Sequence, residues 1–274
     1  LGDVYKRQPL MDEKLVEEAM KKAKELDVPI SLHEEDPAYI KQPGVNQGKV
    51  SEQLNYGGAS YLAEAVMVKR DCELAVKTGA KVDIQHISSG VAVDYVKEAK
   101  EKGANVYAEA SPHHFTLTEE AVLKYGTLAR MNPPLRTEED RQRIIKGLQE
   151  GTIEIIATDH APHSKEEKDK PLDQAPSGIT GIETSLALGV TELVEKGYLS
   201  MMQLLEKMTI NPAKLYNMEQ GRLQEGKPAD VVLFDPEEEW EVKEYKSKAT
   251  NSPFTGWKLK GKVKYTICDG KIIE

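Results

Sequence analysis

A chain of 274 residues with 39% hydrophobic content can bury a substantial core, and its length fits one large α/β unit with a small appendage. Its formal net charge of −9, with Lys and Arg scattered among acids on the expected helix faces, opposes attraction to nucleic-acid phosphates or anionic lipid. No apolar run approaches the roughly 20 residues that span a bilayer, the amino terminus lacks a signal-peptide pattern, and Cys72 and Cys268 make neither a Cys-x-x-Cys pair nor a disulfide framework, so the composition implies a reducing cytoplasm with no membrane or nucleic-acid partner.

In chain order, Leu15, Val16, Ala19, Met20, Ala23 and Leu26 recur at helical spacing, and Asp27-Val28-Pro29 leads from that helix into a β-like run ending at His33. A second helix over about 59–77 precedes Val82-Asp83-Ile84-Gln85, a run that ends at His86. A third, over about 91–102, stops at Gly103 before the alternating Ala104, Val106, Ala108 and Ala110. Thr137 is placed to cap a helix carrying Ile144, Ile145 and Leu148, and Gly151 breaks it. The apolar run Ile153, Ile155, Ile156, Ala157 then closes in Thr158-Asp159-His160-Ala161-Pro162-His163. Helices alternating with strands imply a parallel sheet, because parallel strands need crossovers and these are usually helical.

After Gly181 the spacing predicts three helical stretches, with Ser200 and Gln203 as a capping box and Asn211 to Tyr216 in the last of them. Beyond Gly221 the pattern changes to strands. Ala229 to Asp235, the Trp240-Glu241-Val242 segment, and Val263 to Ile267 joined through Asp269-Gly270 to Lys271-Ile272-Ile273 read as β-structure with a hairpin, a small β-domain over 219–274.

Three strand ends thus deliver His33, His86 and Asp159. In a parallel α/β barrel the chemistry gathers at the carboxyl ends of the strands. Neutral imidazoles and a carboxylate are the ligand set that suits zinc, and a catalytic zinc site keeps a position open for water. Each residue alone has a plainer explanation: Asp after a strand caps helices, and a strand-end His is commonly a hydrogen-bonded structural group. Three such ends in one chain make coincidence a poor account.

The motifs His33-Glu34-Glu35-Asp36, His86-Ile87-Ser88, Ser111-Pro112-His113-His114, Met131-Asn132-Pro133-Pro134-Leu135-Arg136, Asp159-His160-Ala161-Pro162-His163 and Gly178-Ile179-Thr180-Gly181-Ile182-Glu183-Thr184 resemble the amidohydrolase superfamily, and within it the class I dihydroorotases of pyrimidine biosynthesis. The resemblance runs from Pro9 to the end, and its Asn-Pro-Pro-Leu-Arg and Asp-His-Ala-Pro-His stretches are the specific ones. It implies two zinc ions, with His33 and His86 on the second and Asp159 touching the first while serving as acid/base. It implies that Asn132, His163 and the Ser177-Gly178 backbone hold a cyclic substrate, and that activated water opens the ring amide of dihydroorotate reversibly to N-carbamoyl-aspartate. Asn132 before Pro133 also reads as a turn initiator. His113 and His114 are read as structural, and Glu34, Glu35 and Asp36 as a loop or helix-start acid cluster. Arg136 is either a partner for a substrate carboxylate or a surface arginine beside a helix start.

The chain departs from that family in two places. The family's first strand carries a His-x-His-x-Arg triplet that this sequence lacks, and the bridging acid or carboxylated lysine would fall just before Pro9. Asp3-Val4-Tyr5-Lys6-Arg7-Gln8 resembles the translation of a transposon end used as a sequencing adaptor, so residues 1–8 are set aside as an assembly artefact. The expected fold is then α/β: a partial (β/α)8 TIM-type barrel over 9–218, strands five to eight with their helices, followed by part of a small β-sandwich domain over 219–274. The expected function is that of a zinc-dependent dihydroorotase, cytoplasmic, with this fragment inactive by itself. The alternatives are an allantoinase or hydantoinase, or a catalytically silent dihydroorotase-like partner of aspartate carbamoyltransferase. The expected partners are the small-molecule substrate and either a second copy of the chain or aspartate carbamoyltransferase.

Overall fold

Asp12 accepts hydrogen bonds from the N–H groups of Lys14 and Leu15 and so starts the first helix, Glu13–Glu25, which buries Val16, Met20 and Ala23. The same local logic sets the other long helices. Ser89 caps Gly90–Glu101, and Thr137 and Asp140 form a reciprocal capping box at the start of Glu138–Glu150, which ends at Gly151 in the left-handed region. The computed structural model describes residues 9–273, so the artefact read into residues 1–8 lies outside the described residues.

These helices, with Leu62–Thr78, connect four strands: β1 (Ile30–Leu32), β2 (Val82–Ile84), β3 (Val106–Ala110) and β4 (Ile155–Ile156). The strands form one parallel sheet in the order β1-β2-β3-β4, with Ile30 beside Val82, Val82 beside Val106 and Glu109 beside Ile155. Alternation along the strands sorts the faces. Val82, Ile84, Val106 and Ala108 share one buried core with Val68, Val93, Val96, Ile144 and Leu148 of the helices. On the other face, Ser31 Oγ donates to Asp83 Oδ2 at 2.8 Å and lies 2.9 Å from the Tyr216 hydroxyl.

The fourth strand is shorter than the apolar run predicts. Side chains take its backbone acceptors: Lys207 Nζ donates to Ile153 O at 2.7 Å and Asn211 Nδ2 to Glu154 O at 2.9 Å. Only Ile155 and Ile156 remain in ladder pairing. After the sheet, Ile182–Gly189 runs on into a π-helical turn, Val190–Val194, followed by Met201–Met208 and Ile210–Leu215.

The β-structure beyond 219 is a three-stranded antiparallel sheet of β5 (Val231–Glu241), β6 (Lys258–Cys268) and β7 (Lys271–Ile273), in that order. The two runs around Phe234 and Trp240 are one strand, not two. Its register shifts between Asp235 and Glu239, where the Asp235 carboxylate accepts from the N–H groups of Glu237 and Glu238 and lets the intervening residues bulge out. The sheet leans on the helical layer: Lys260 N–H donates to Thr191 Oγ1 at 2.9 Å, and Trp257 Nε1 to the Tyr125 hydroxyl at 3.1 Å. Cys72 is buried and Cys268 exposed, both as free thiols. Among the described residues no helix is long and apolar enough to cross a membrane.

Candidate active site

Parallel strands bring their carboxyl ends to one side, and here that side collects His33 directly after β1, His86 just after β2 and Asp159 just after β4. His33 Nδ1 lies 3.0 Å from His86 Nε2, with the two rings edge to face. His86 and Asp159 both turn through the left-handed region, at φ 35° and 45°. Among the described non-glycine residues with positive φ, His86 alone is neither Asn nor Asp, the types that tolerate this conformation best. Residues held this way cluster at functional sites.

Glu35 and Asn132 complete the cluster. Glu35 Oε2 lies 3.0 Å from His33 Nε2 and accepts from Asn132 Nδ2 at 3.2 Å. Burial works to raise the Glu35 pKa, but the His33 hydrogen bond and charge and the Asn132 bond outweigh it and hold the carboxyl below its usual range. A narrow cleft opens here, lined by His33, Glu35, Asn132, Pro133, Pro134 and Ala59 among others. Burial lowers the pKa of His86 to about 4, with the Asp159 charge opposing; His113 is lowered to about 4 in the same way, so both rings stay neutral at neutral pH. Asp159 therefore acts electrostatically on the histidine cluster although it comes from the far strand of the sheet.

His163, Ser177 and Gly178 form a second group, joined by the Asn251 amide. His163 Nε2 lies 3.0 Å from Ser177 O, and His163 N–H donates to Asn251 Oδ1 at 3.0 Å. Gly178 N–H donates to Arg130 O at 2.8 Å, and Gly178 O accepts from Lys168 Nζ at 3.0 Å and from Asn251 Nδ2 at 3.2 Å. The Gly178 N–H and O and the Ser177 O are thus engaged within the protein. Glycine is required at 178 on two counts: its φ is 111°, and a Cβ there would lie 2.5 Å from that of Ala161.

Arg136 is not a surface residue; it lines the same cleft from a buried position. It is buried, donating to Ser88 Oγ at 3.1 Å, Asn46 Oδ1 at 2.9 Å and Ala59 O at 2.8 Å. Ser88 N–H in turn donates to the buried Glu64 carboxylate at 3.0 Å, which also accepts from Ser89 N–H at 2.9 Å. This network holds the turn after His86 against the segment that carries Asn132. The three acids after His33 separate in role. Glu34 is buried, Glu35 joins the site, and Asp36 caps a short 3₁₀ turn, Pro37–Tyr39. His113 and His114 are packed inside the short helix Pro112–Thr116, with His114 Nε2 3.1 Å from Pro133 O. The sequence reading missed Glu35, whose signal was its spacing two residues after His33, and Asn251, which no spacing in the sequence links to His163.

The amidohydrolase family model matches residues 7–273. The chain belongs to the amidohydrolase family. The chain is 68% identical over 265 residues to a dihydroorotase of Clostridioides difficile (strain 630), a match covering 97% of this chain and 63% of that protein. It is 54% identical over 267 residues to a dihydroorotase of Clostridium acetobutylicum, with the same two coverages, 97% and 63%. The chain therefore spans about 63% of the length of the curated relatives it matches. Among solved structures, it superposes with a TM-score of 0.84 on a dihydropyrimidinase from Brevibacillus agri NCHU1002, at 25% identity, covering 98% of this chain and 61% of that one. An L-hydantoinase from Arthrobacter aurescens gives 0.83 at 25% identity, covering 96% of this chain and 60% of that one.

The donor chemistry of the site suits a zinc ion in part. His86 is neutral, as a ligand imidazole must be, and the Glu35 carboxylate sits at the outer nitrogen of His33, the contact that fixes the tautomer of a metal-binding histidine. Among the described residues, however, no three His, Cys, Asp or Glu side chains stand together as a ligand group. His33 and His86 supply two donors, and Asp159 stands apart from them.

Proposed function

We propose that these residues form the carboxyl-terminal share of a dihydroorotase, a partial (β/α)8 barrel with part of a β-sandwich, working in the cytoplasm on dihydroorotate and N-carbamoyl-aspartate. The observation that carries this reading is the convergence of His33, His86, Glu35 and Asn132 at one end of a parallel sheet, in a chain 68% identical to a protein named dihydroorotase. His33, His86 and Asp159 would contribute to holding two zinc ions, which when bound lower the pKa of water and polarise the amide carbonyl. Asp159 moves the proton from the attacking oxygen to the departing ring nitrogen. Asn132 offers the donor and acceptor that a cyclic ureide needs, and Glu35 orients both that amide and the His33 ring. His163 borders the ring from the other side, with the Ser177-Gly178 turn forming a close wall against Ala161.

The test is a comparison of dihydroorotate, allantoin and hydantoin on one preparation of the protein completed to the length of its relatives. Dihydroorotate should be turned over with the highest kcat/KM, and Asn132→Ala should lower that value about tenfold or more, the cost of a polar group left without its partner. Preference for allantoin or hydantoin would move the assignment to another cyclic amidohydrolase, and no turnover of any of the three would end the enzymatic reading.

A further inference from the structure

Asn251 lies in the connection between β5 and β6, far in sequence from the strand ends, yet its side chain sits between the two segments that carry His163 and Gly178. It is buried, and its amide is fully used. Oδ1 accepts the His163 N–H at 3.0 Å, while Nδ2 donates to Ala161 O at 3.1 Å and to Gly178 O at 3.2 Å. One acceptor and two donors on a short side chain are what this gap demands. Asp could accept but not donate, and Ala could do neither. The Asn251 backbone carbonyl separately accepts from Thr180 N–H at 3.0 Å, so main chain and side chain grip the same turn by different bonds.

We infer that Asn251 is a positioning residue: its amide fixes the turn bearing His163 against the turn bearing Ser177 and Gly178, and so sets the width of the substrate-holding side of the site. This rests on the reading of His163 and Gly178 as groups that face the substrate. The spacing it enforces is already tight, since a Cβ on Gly178 would lie 2.5 Å from that of Ala161. Without the amide, the carbonyls of Ala161 and Gly178 lose a shared donor, and the backbone bond from Ala161 N–H to Ile179 O at 2.8 Å is left to hold the inner ends of the two turns while their outer ends, at His163 and Ser177, loosen. His163, 3.0 Å from Ser177 O, would move with them.

The experiment has two arms. In the 274-residue chain, amide hydrogen exchange is followed for His163 and Thr180 in Asn251→Ala and Asn251→Asp. In Asn251→Ala the His163 amide should exchange about tenfold faster or more, while the Thr180 amide, held by the backbone of residue 251, keeps its protection. In Asn251→Asp the retained acceptor should keep His163 protected. In the completed enzyme, both variants should raise KM for dihydroorotate about tenfold, with kcat changed less and zinc content unchanged. An unchanged His163 amide in Asn251→Ala, an unchanged KM, or unfolding of both variants would overturn the inference, the last by making Asn251 a residue of stability alone. If the unsubstituted enzyme fails to turn over dihydroorotate, the proposed function falls, and the exchange arm still decides whether Asn251 orders the two turns.

Discussion

His33 Nδ1 and His86 Nε2 face each other at 3.0 Å across 53 residues of sequence. These are the two ring nitrogens that would be offered to a metal ion, one from each strand end. Glu35 occupies the opposite nitrogen of His33 and cannot substitute for either ring. His33→Ala and His86→Ala in the completed enzyme should therefore each lose about one equivalent of zinc while remaining folded. Metal analysis beside circular dichroism checks this, and full zinc content in both variants would leave the pair as a structural contact.

Arg136 gives a prediction of a different kind, because its guanidinium is spent inside the protein. Arg136→Met keeps the stem but strips the donors from Asn46 Oδ1 and Ala59 O and removes a positive charge that acts on the buried Glu64. Breaking a buried charged network by removing one member costs about 3–5 kcal/mol. Urea denaturation of the 274-residue chain should show a loss of that order. A midpoint unmoved by the substitution, with KM raised in the enzyme, would restore the substrate-carboxylate role.

The helices and the parallel order of the strands were legible because they rest on local signals: apolar spacing, Ser200 and Thr137 as caps, Gly151 as a stop. The strand ends His33, His86 and Asp159 were legible for the same reason, since chain direction alone puts them on one side of a parallel sheet. What sequence could not supply was set by contacts between distant segments. Lys207 and Asn211 shorten β4 from more than 50 residues away, Asn46 and Ala59 draw Arg136 inward, and Asn251 reaches His163 from beyond β5. A side chain that satisfies remote backbone groups leaves no periodicity to read.

Acid should destabilise the metal-free chain through its buried histidines. Burial holds both His86 and His113 at about 4 in the folded state against an ordinary value of 6.5. As pH falls between those limits the unfolded chain takes up protons that the folded one refuses, so stability declines with falling pH, by on the order of 1–2 kcal/mol per histidine near pH 5. His113 offers the cleaner test because it is not proposed to bind metal and its Nε2 is buried without a partner. His113→Leu should flatten the loss of stability between pH 7 and pH 5 in denaturation experiments. An unchanged slope would mean that the ring is hydrated or already protonated in the folded protein.

Asp159 is the proposed acid/base, and its backbone dictates which substitution tests it. At φ 45° the residue sits in the left-handed region that Asn shares readily with Asp but that Ala enters at a cost. Asp159→Asn therefore keeps the turn after β4 and removes only the charge and the basic oxygen, whereas Asp159→Ala would confound lost chemistry with backbone strain. In the completed enzyme Asp159→Asn should lower kcat for dihydroorotate by about 10²–10⁴-fold, the usual worth of a general acid/base, with an unchanged circular dichroism spectrum. It should also raise the acid sensitivity of the fold, because the Asp159 charge is what opposes the depression of the His86 and His113 pKa values. That second readout is independent of turnover. A variant with near-normal kcat would remove Asp159 from the reaction, and a pH-stability curve that does not move would separate it from the histidine cluster as well.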